Sequence, residues 1–520
     1  MNKLPLELYD RIVQFVGRRV GEEFLPPWQH GTLPFALPAI AAVSRNFQQA
    51  VERLTFRNLK ISTSPPDLDA FRRGLTPQRQ RNLQRLTVHL WVDHPLPRTT
   101  TGTNQPREFA TGEERRAINE STTTQLREFF NIIAAWHLPG PSLTLDVTGP
   151  PLSRNSLVEA YLRFSMLDVS SDLVDFPPFL MVKQLYVCSM SCHLHPHLAV
   201  SLTAKMPNAS HVDWDLSTCH TTSWGLYHHM SRIWRDGLVR SIESTTLPPS
   251  VKKFSFNMLV PGTARFQILP NFIGSGSSPD PVSSALRKLT KNCTEVHIEG
   301  SMHASLFDPL AVPGTAPHEA APAWEKVTQL DVKASMCGPD GKWLFTLDPD
   351  DDAKPEEPPE GLDFDRLPPG HGTTDSELDE ADEYYDEYRE EIAPDGDNPD
   401  GELFRTDVDD ELMNPLLTAF ARGCGRGNTP ALRTATFLSD SFNAGNCPFQ
   451  VICFAAGMEA PLEWDEIAGG DRDAWRVFFH VNDWRPREET LEEFRRIGRG
   501  RNGHDTVVCF LPWGTLLIDR

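Results

Sequence analysis

From residue 83 onward, short segments in which every second residue is apolar recur along the chain. Such alternation is typical of a strand with one buried face. Eight segments are predicted to be strands: 83–92, 142–149, 182–190, 209–217, 251–259, 293–301, 326–334 and 431–439. Segments with apolar residues three or four apart precede several of them, such as 124–136 before the second strand and 196–206 before the fourth. The pattern predicts repeated helix–strand pairs and an α/β fold.

One helix–strand pair is too small to bury its own apolar face, whereas stacked pairs share a continuous core, as in a solenoid. The pattern is similar to leucine-rich repeats, with strands along one face and helices along the other. The spacing of the strands, from about 28 to nearly 60 residues, is less regular than in that family. An ordinary α/β sheet built from βα units is therefore the alternative.

Two amphipathic helices are predicted ahead of the repeats. In residues 4–16, Leu8, Ile12, Phe15 and Val16 follow the spacing of one helical face, and Pro5 suits a first helical turn. The first two thirds of residues 37–61 are predicted to be the second helix. An apolar face on so short a helix needs a partner, which is either the rest of this chain or another protein.

The charge is distributed unevenly along the chain. The net charge is −21, but residues 348–411 alone contain 27 acidic and four basic residues, a local balance of −23. The remainder sums to +2, so no basic footprint for nucleic acid is apparent. Because the acidic segment is also rich in Pro and Gly, it is predicted to be a disordered insertion. The predicted domains are a helical domain (1–60), a solenoid (61–347), this insertion (348–411) and a final repeat with a C-terminal α+β cap (412–520).

Candidate chemistry is sparse. Cysteine and histidine cluster at Cys188, Cys192, His193, His195 and His197, residue types that bind zinc, but a second ligand pair at a fixed distance is absent. Packing and surface roles are therefore favoured, and no cofactor, metal or catalytic residue is predicted. Nine scattered cysteines and the lack of an apolar run of about 20 residues predict no membrane segment and a reducing compartment, the cytoplasm or nucleus.

The N-terminal residues resemble an F-box, a motif with a Leu-Pro start, apolar residues at helical spacing and a closing Val-x-Arg-x-Trp element. The positions that match are Leu4, Pro5, Leu8, Ile12, Val16, Val43, Ser44 and Arg45. Phe47 stands where the family often has Trp, and a loop containing Trp28 lengthens the motif. With the repeat array behind it, the chain is similar to fungal F-box proteins.

The resemblance implies a three-helix F-box that uses these matching residues to bind a Skp-type adaptor of a cullin-RING (SCF) ubiquitin ligase. The repeats would then present an unknown protein target, and the receptor itself would not be an enzyme. The alternative is a ligase-independent scaffold for protein–protein interaction whose first helices only cap the solenoid. Capping predicts that Leu4, Leu8, Ile12 and Val16 are buried, whereas docking predicts that part of this face is exposed.

Overall fold

The chain forms a mixed α/β structure around one large sheet. A computed structural model describes residues 5–19, 36–92, 112–136, 138, 140–150, 166–168, 176–189, 193–216, 224–258, 271–273, 279–308, 324–347, 405–439, 449–470, 472–481 and 483–512. Within these ranges, twelve strands share a sheet in which most neighbours are parallel. The predicted α/β class is therefore confirmed.

The helices and strands are numbered here in chain order. The helices are α1 (Leu6–Arg19), α2 (Ala36–Ala41), α3 (Arg45–Thr55), α4 (Pro65–Gly74), α5 (Pro77–Asn82), α6 (Gly112–Ala134), α7 (Pro196–Ala204), α8 (Trp224–Glu243), α9 (Pro281–Leu289), α10 (Asp410–Cys424), α11 (Leu462–Ile467) and α12 (Glu488–Asn502). The strands of the main sheet are β1 (Asn58–Ser62), β2 (Arg85–His89), β3 (Leu143–Thr148), β5 (Val182–Cys188), β7 (His211–Asp215), β8 (Lys253–Met258), β9 (Glu295–Gly300), β10 (Gln329–Ala334), β13 (Thr434–Ser439), β14 (Phe449–Phe454), β15 (Arg476–His480) and β16 (Val507–Phe510). Two small sheets pair β4 (Met166–Leu167) with β6 (His193–Leu194) and β11 (Phe345–Leu347) with β12 (Arg405–Val408).

The main sheet follows the order of the sequence. Its strands lie in the order β1-β2-β3-β5-β7-β8-β9-β10-β13-β14-β15-β16. All pairs from β1 to β13 are parallel, β14 is antiparallel to both of its neighbours, and β16 is parallel to β15. Each of the eight strands predicted from alternation lies within its predicted range. Alternation does not predict the edge strand β1. This strand has only two inward apolar residues, and it begins soon after a helix ends.

The two faces of the sheet differ in how they are covered. On one face, alternate strand residues and the helices form a single apolar cluster, to which α6, α7, α9 and α10 all contribute. Val212, Phe254 and Val296 lie in register across three adjacent strands and are essentially inaccessible to solvent. The shared core explains how helix–strand pairs that are individually too small become stable together.

Among the described residues, a helix covers the opposite face, here called the open face, only at its C-terminal end. There, α11 places Trp464 against Phe478 of β15, with ring centroids 5.2 Å apart. Ile452 and Phe454 of β14 belong to the same second cluster. Strands β14 and β15 are accordingly buried along their whole length, whereas β7 to β10 alternate between buried and partly exposed residues.

The N-terminal helices have a small core of their own. Tyr9 and Val13 of α1 pack with Leu37 of α2 and with Ala50 and Val51 of α3, in a cluster distinct from that of the sheet. We call α1, α2 and α3 the N-terminal unit. It connects to the sheet through β1, which begins three residues after α3 ends.

Two of the predicted domain boundaries fall inside secondary-structure elements. The boundary at residue 60 falls inside β1, so it does not separate two folded units. Residues 405–411 were predicted to be disordered, but they form β12 and the beginning of α10. The reason is that β12 pairs with β11, and Asp409 caps α10 by accepting a bond from the Glu411 amide. Residues 348–404 of the predicted insertion lie outside the described part of the chain.

Every helix in the described ranges is too short or too polar to cross a lipid bilayer.

Candidate functional site

Helix α1 presents apolar side chains on two sides. Tyr9 and Val13 are almost fully buried in the core of the N-terminal unit, whereas Leu8 and Ile12 are each 40% exposed. Part of the face that helical spacing assigned to Leu8, Ile12 and their neighbours is therefore exposed in this chain, and Tyr9 and Val13 form the buried side of α1. We call Leu8 and Ile12 the α1 apolar surface.

Contacts with α3 determine which side of α1 is buried. The ring of Tyr9 meets that of Phe47 edge to face, with centroids 4.8 Å apart. Beside them, the Arg53 guanidinium binds the Asp10 carboxylate at 2.7 Å. Because these contacts flank Val13 and its partners, α1 is held with Leu8 and Ile12 directed away from the core.

The closing element of the motif lies between α2 and α3. Ser44 is the N-cap of α3, and its hydroxyl accepts a hydrogen bond from the Phe47 amide at 3.3 Å. Val43 is 61% exposed, and Arg45 at the start of α3 is also exposed. Ser44 therefore has a structural role in this unit, while its two neighbours face solvent.

The remaining predicted site residues are only partly described. Pro5 precedes α1 and is exposed, and its carbonyl accepts a bond from the Leu8 amide at 3.0 Å. Val16 lies within α1, but its side chain is outside the description, as is Leu4 entirely. Seven large apolar side chains are exposed in the described ranges, and three of them, Leu8, Ile12 and Val43, belong to the N-terminal unit.

The open face of the sheet carries a row of polar residues that the sequence did not single out. The register of the strands aligns Thr87, Asp146, Tyr186, Asp213, Ser255, His297 and Asp331, from β2 to β10. We call this the central row. Its members occupy the outward positions of the alternating pattern, where solvated residues are expected.

The charged residues around the central row differ between its two ends. On β7 to β10, the open face holds five carboxylates, those of Asp213, Asp215, Glu295, Glu299 and Asp331. Lys253 and Lys333 form ion pairs with the two glutamates at 3.3 and 2.9 Å, so the formal charges of these seven strand residues sum to −3. We call it the acidic half. On β1 and β2, the open face holds Lys60 and Arg85, and the Arg85 guanidinium is ion-paired with Asp146 at 2.6 Å.

Asp213 lies in the middle of the acidic half, and its surroundings disfavour ionisation. Partial burial, followed by the charge of Asp215, raises the pKa of Asp213 to about 6, although the ammonium of Lys253 opposes the shift. None of its described neighbours forms a hydrogen bond or an ion pair with the Asp213 carboxylate. A carboxyl group perturbed in this way on an accessible surface is a candidate for function.

The aromatic and imidazole groups beside Asp213 are also perturbed by burial. Burial raises the pKa of Tyr186 and lowers the pKa of His211. The Tyr186 hydroxyl and the His211 Nδ1 lie 3.5 Å apart, at the limit of a hydrogen bond. At neutral pH both side chains are therefore uncharged, and they offer no compensation for Asp213.

Two further carboxylates of the central row leave one oxygen unpartnered. Asp146 is 5% exposed. Its Oδ2 accepts hydrogen bonds from Arg85 Nε at 2.6 Å and from Thr87 Oγ1 at 2.8 Å. Its Oδ1 has no hydrogen-bond partner among the described residues. Asp331 Oδ2 accepts a bond from the Gln329 amide, and its buried Oδ1 is similarly unpartnered there. Buried carboxylate oxygens normally have partners.

The cysteine and histidine cluster has structural uses in the described residues. Cys188 Sγ donates to Asp215 at 3.4 Å, and His195 caps α7 by accepting a bond from the His197 amide at 3.2 Å. His197 Nε2 lies 2.9 Å from the Ser201 hydroxyl. Cys192 lies outside the described ranges, within which no three potential metal ligands come together.

Comparison with known proteins adds no family assignment. A scan against protein-family models finds no matching model, and a search of curated proteins finds no matching sequence.

Proposed function

We propose that this chain is an F-box substrate receptor. Leu8 and Ile12, with Pro5, Val43 and Arg45, would dock on a Skp-type adaptor of a cullin-RING ubiquitin ligase. The helix–strand units would form a leucine-rich-repeat-like solenoid that presents a protein target on its open face. Ubiquitin transfer belongs to other subunits of the ligase, so this chain is a non-catalytic receptor that works in the cytoplasm or nucleus.

The observation that carries this proposal is the exposure of the α1 apolar surface. Leu8 and Ile12 are one helical turn apart on the same side of α1, so together they present a compact apolar area. A helix that served only as a cap would direct such residues into its own chain and polar residues outward. The exposure favours docking over capping.

The order of the strands supports the receptor half of the proposal. Each strand of the main sheet from β1 to β13 lies beside its predecessor in that sheet. The helices pack on one face of the sheet, against the buried strand residues. In a stack of this kind the other face is available to a partner over many strands. The polar, partly exposed residues of β2 to β10 fit that use.

A double substitution tests docking. We expect Leu8→Ala with Ile12→Ala to weaken binding to the purified Skp-type adaptor by about 2–5 kcal/mol, because apolar anchors buried in an interface dominate affinity. Isothermal titration calorimetry measures the loss. The matched control is Leu462→Ala with Ile467→Ala on α11, which removes the same side-chain types from another exposed site and should leave adaptor binding unchanged.

Thermal unfolding of the same variants separates the two hypotheses. Docking predicts nearly unchanged thermal stability for the α1 double variant, since both side chains are already 40% exposed. Unchanged adaptor affinity would contradict the F-box proposal. A large fall in the melting temperature without a change in affinity would instead support the capping scaffold.

A further inference from the structure

We propose that residues 515–518 of this chain fold back on β16 and add an antiparallel strand to that edge of the main sheet. Three observations carry the proposal: the uncovered backbone of β16, its apolar composition and the sequence that follows it. The proposal concerns the end of the sheet opposite to β1 and the N-terminal unit. It therefore goes beyond adaptor docking and does not depend on it.

Strand β16 has one edge without a partner strand in the described part of the chain. It is the last strand of the main sheet and pairs only with β15. The amides of Val507 and Leu511 donate to backbone carbonyls on the β15 side, each at 2.8 Å. Because the backbone groups of successive strand residues point to opposite sides, those of Val508 and Phe510 face the other edge.

The composition of β16 is unusual for an edge that stays open. All four of its residues are apolar, and three of them are only partly buried. Open sheet edges usually carry a charged residue, a proline or a bulge, which prevents other strands from pairing with them. An added strand would satisfy the backbone groups of β16 and remove its apolar side chains from water.

The sequence after β16 predicts a turn followed by a strand. Pro512 and Gly514 would take the second and fourth positions of a type I turn, where these residue types are favoured. A loop of four residues, 511–514, suits a hairpin, and residues 515–518 supply an uncharged, largely apolar run. So short a connection gives this run a much higher effective concentration at β16 than a separate molecule has.

The backbone groups that face the open edge determine the register of the pairing. Phe510 is the last residue of β16 whose backbone faces that edge, so it pairs with Thr515 across the four-residue loop. Cys509 then lies opposite Leu516 as a non-hydrogen-bonded pair, in which the Cα atoms approach to about 4.5 Å.

This register places apolar residues of the added strand on both faces of the sheet. Cys509 belongs to the second cluster on the open face, together with Trp464, so Leu516 joins that cluster. Val508 packs against the main core on the helix-covered face, and Leu517 opposite it extends that core. The added strand therefore continues the burial seen on both faces of β14 and β15.

Disulfide formation in the full-length protein tests the register. Leu516→Cys places a thiol opposite the native Cys509, within the Cα separation that a disulfide can span. Oxidised glutathione is the oxidant: it is reduced to two glutathione molecules while the two protein thiols lose their protons and form one S–S bond. Because burial raises the pKa of the Cys509 thiol, the reaction is run at mildly alkaline pH.

The matched control is Leu517→Cys, whose side chain points to the opposite face of the sheet. We expect Leu516→Cys to form the bond with Cys509 at least about tenfold faster than the control, since only the first pair has the required geometry. Alkylation followed by peptide mapping measures the rate. Equal rates in the two variants would overturn the proposal. A disulfide that joins two molecules, seen by non-reducing electrophoresis, would assign the edge to a second copy and would also overturn it.

A truncation provides a second measurement. Removal of residues 513–520 should make hydrogen–deuterium exchange about tenfold faster in residues 507–511, because Val508 and Phe510 lose their hydrogen-bond partners. The amides of β7 to β10 should keep their rates. Unchanged exchange in residues 507–511 would contradict the added strand. These measurements involve no adaptor, so such a failure is separate from a failure of adaptor binding by the α1 variant.

Discussion

The N-terminal unit and the sheet array distribute their apolar residues in opposite ways. Among its described side chains, the N-terminal unit has a cluster of five buried apolar residues and exposes Leu8, Ile12 and Val43. The sheet array has one extended core, and its accessible strand positions from β2 to β10 are mostly polar. The comparison shows two surfaces of different chemistry, one apolar and one charged.

The two regions also differ in the feature that lowers the stability of each. A small unit that exposes apolar side chains gives up part of the burial that would stabilise it. The sheet array has an extended apolar core and holds a carboxylate, Asp213, in surroundings that oppose its charge.

The largest expected effect is on the core of the sheet array. Phe254 is fully buried and packs edge to face on Trp214, with ring centroids 5.0 Å apart. We expect Phe254→Ala to lower the free energy of unfolding by about 3–5 kcal/mol, because a cavity remains. Leu8→Ala should cost less than about 1 kcal/mol, since Leu8 is already partly exposed. Urea denaturation measures both, and similar costs would refute the contrast between the regions.

A smaller effect of opposite sign is expected at Asp213. Its folded-state pKa of about 6 exceeds the ordinary aspartate value of 3.8, so the folded protein carries a penalty that is complete above pH 6 and disappears as the pH falls towards 4. Because the group is partly solvated, we expect Asp213→Asn to stabilise the protein at pH 7 by about 1–3 kcal/mol.

The pH dependence of the Asp213→Asn effect provides its check. Urea denaturation at pH 7 should show the gain in the free energy of unfolding, and at pH 4 the gain should be lost. Asp236→Asn on the exposed side of α8 should remain within about 0.5 kcal/mol of the wild type at both pH values. A gain at pH 4 as large as that at pH 7 would show that the charge of Asp213 is not its cause.

The smallest predicted effect concerns the cap of α3. The Ser44 hydroxyl accepts a hydrogen bond from the Phe47 amide at 3.3 Å. The substitution Ser44→Ala removes this hydroxyl and should destabilise α3 by about 1 kcal/mol. Hydrogen–deuterium exchange should become faster in residues 45–55, while the amides of β7 to β10 keep their rates. Uniformly faster exchange would mean that the two regions unfold as one.

The sequence predicted the strands well for a physical reason. A strand with one buried face must alternate, and Val212 and Trp214 between His211, Asp213 and Asp215 satisfy that rule within five residues. Flanking helices with their own spacing separate one strand from the next. The edge strand β1 was missed because Leu59 and Ile61 are only partly buried and the strand starts directly after α3.

The details of the candidate sites were less accessible from the sequence. Leu8 with Ile12 and Tyr9 with Val13 are both pairs four residues apart, so periodicity alone does not decide which pair is buried. That choice depends on Phe47 and α3, which are distant in the chain. Asp213 resembles any outward strand residue, and only partial burial and the nearby Asp215 make it unusual.

The order of the strands also has a consequence for the path by which the chain folds. Residues 301–328 separate β9 from β10, whereas residues 335–433 separate β10 from β13. Loop closure costs about 0.6 kcal/mol for each doubling of length, so joining β13 to β10 costs about 1 kcal/mol more than joining β10 to β9. Short closures precede long ones when contacts are otherwise alike. We therefore expect β13 to β16, with α10 to α12, to form a late folding unit that docks on strands already assembled.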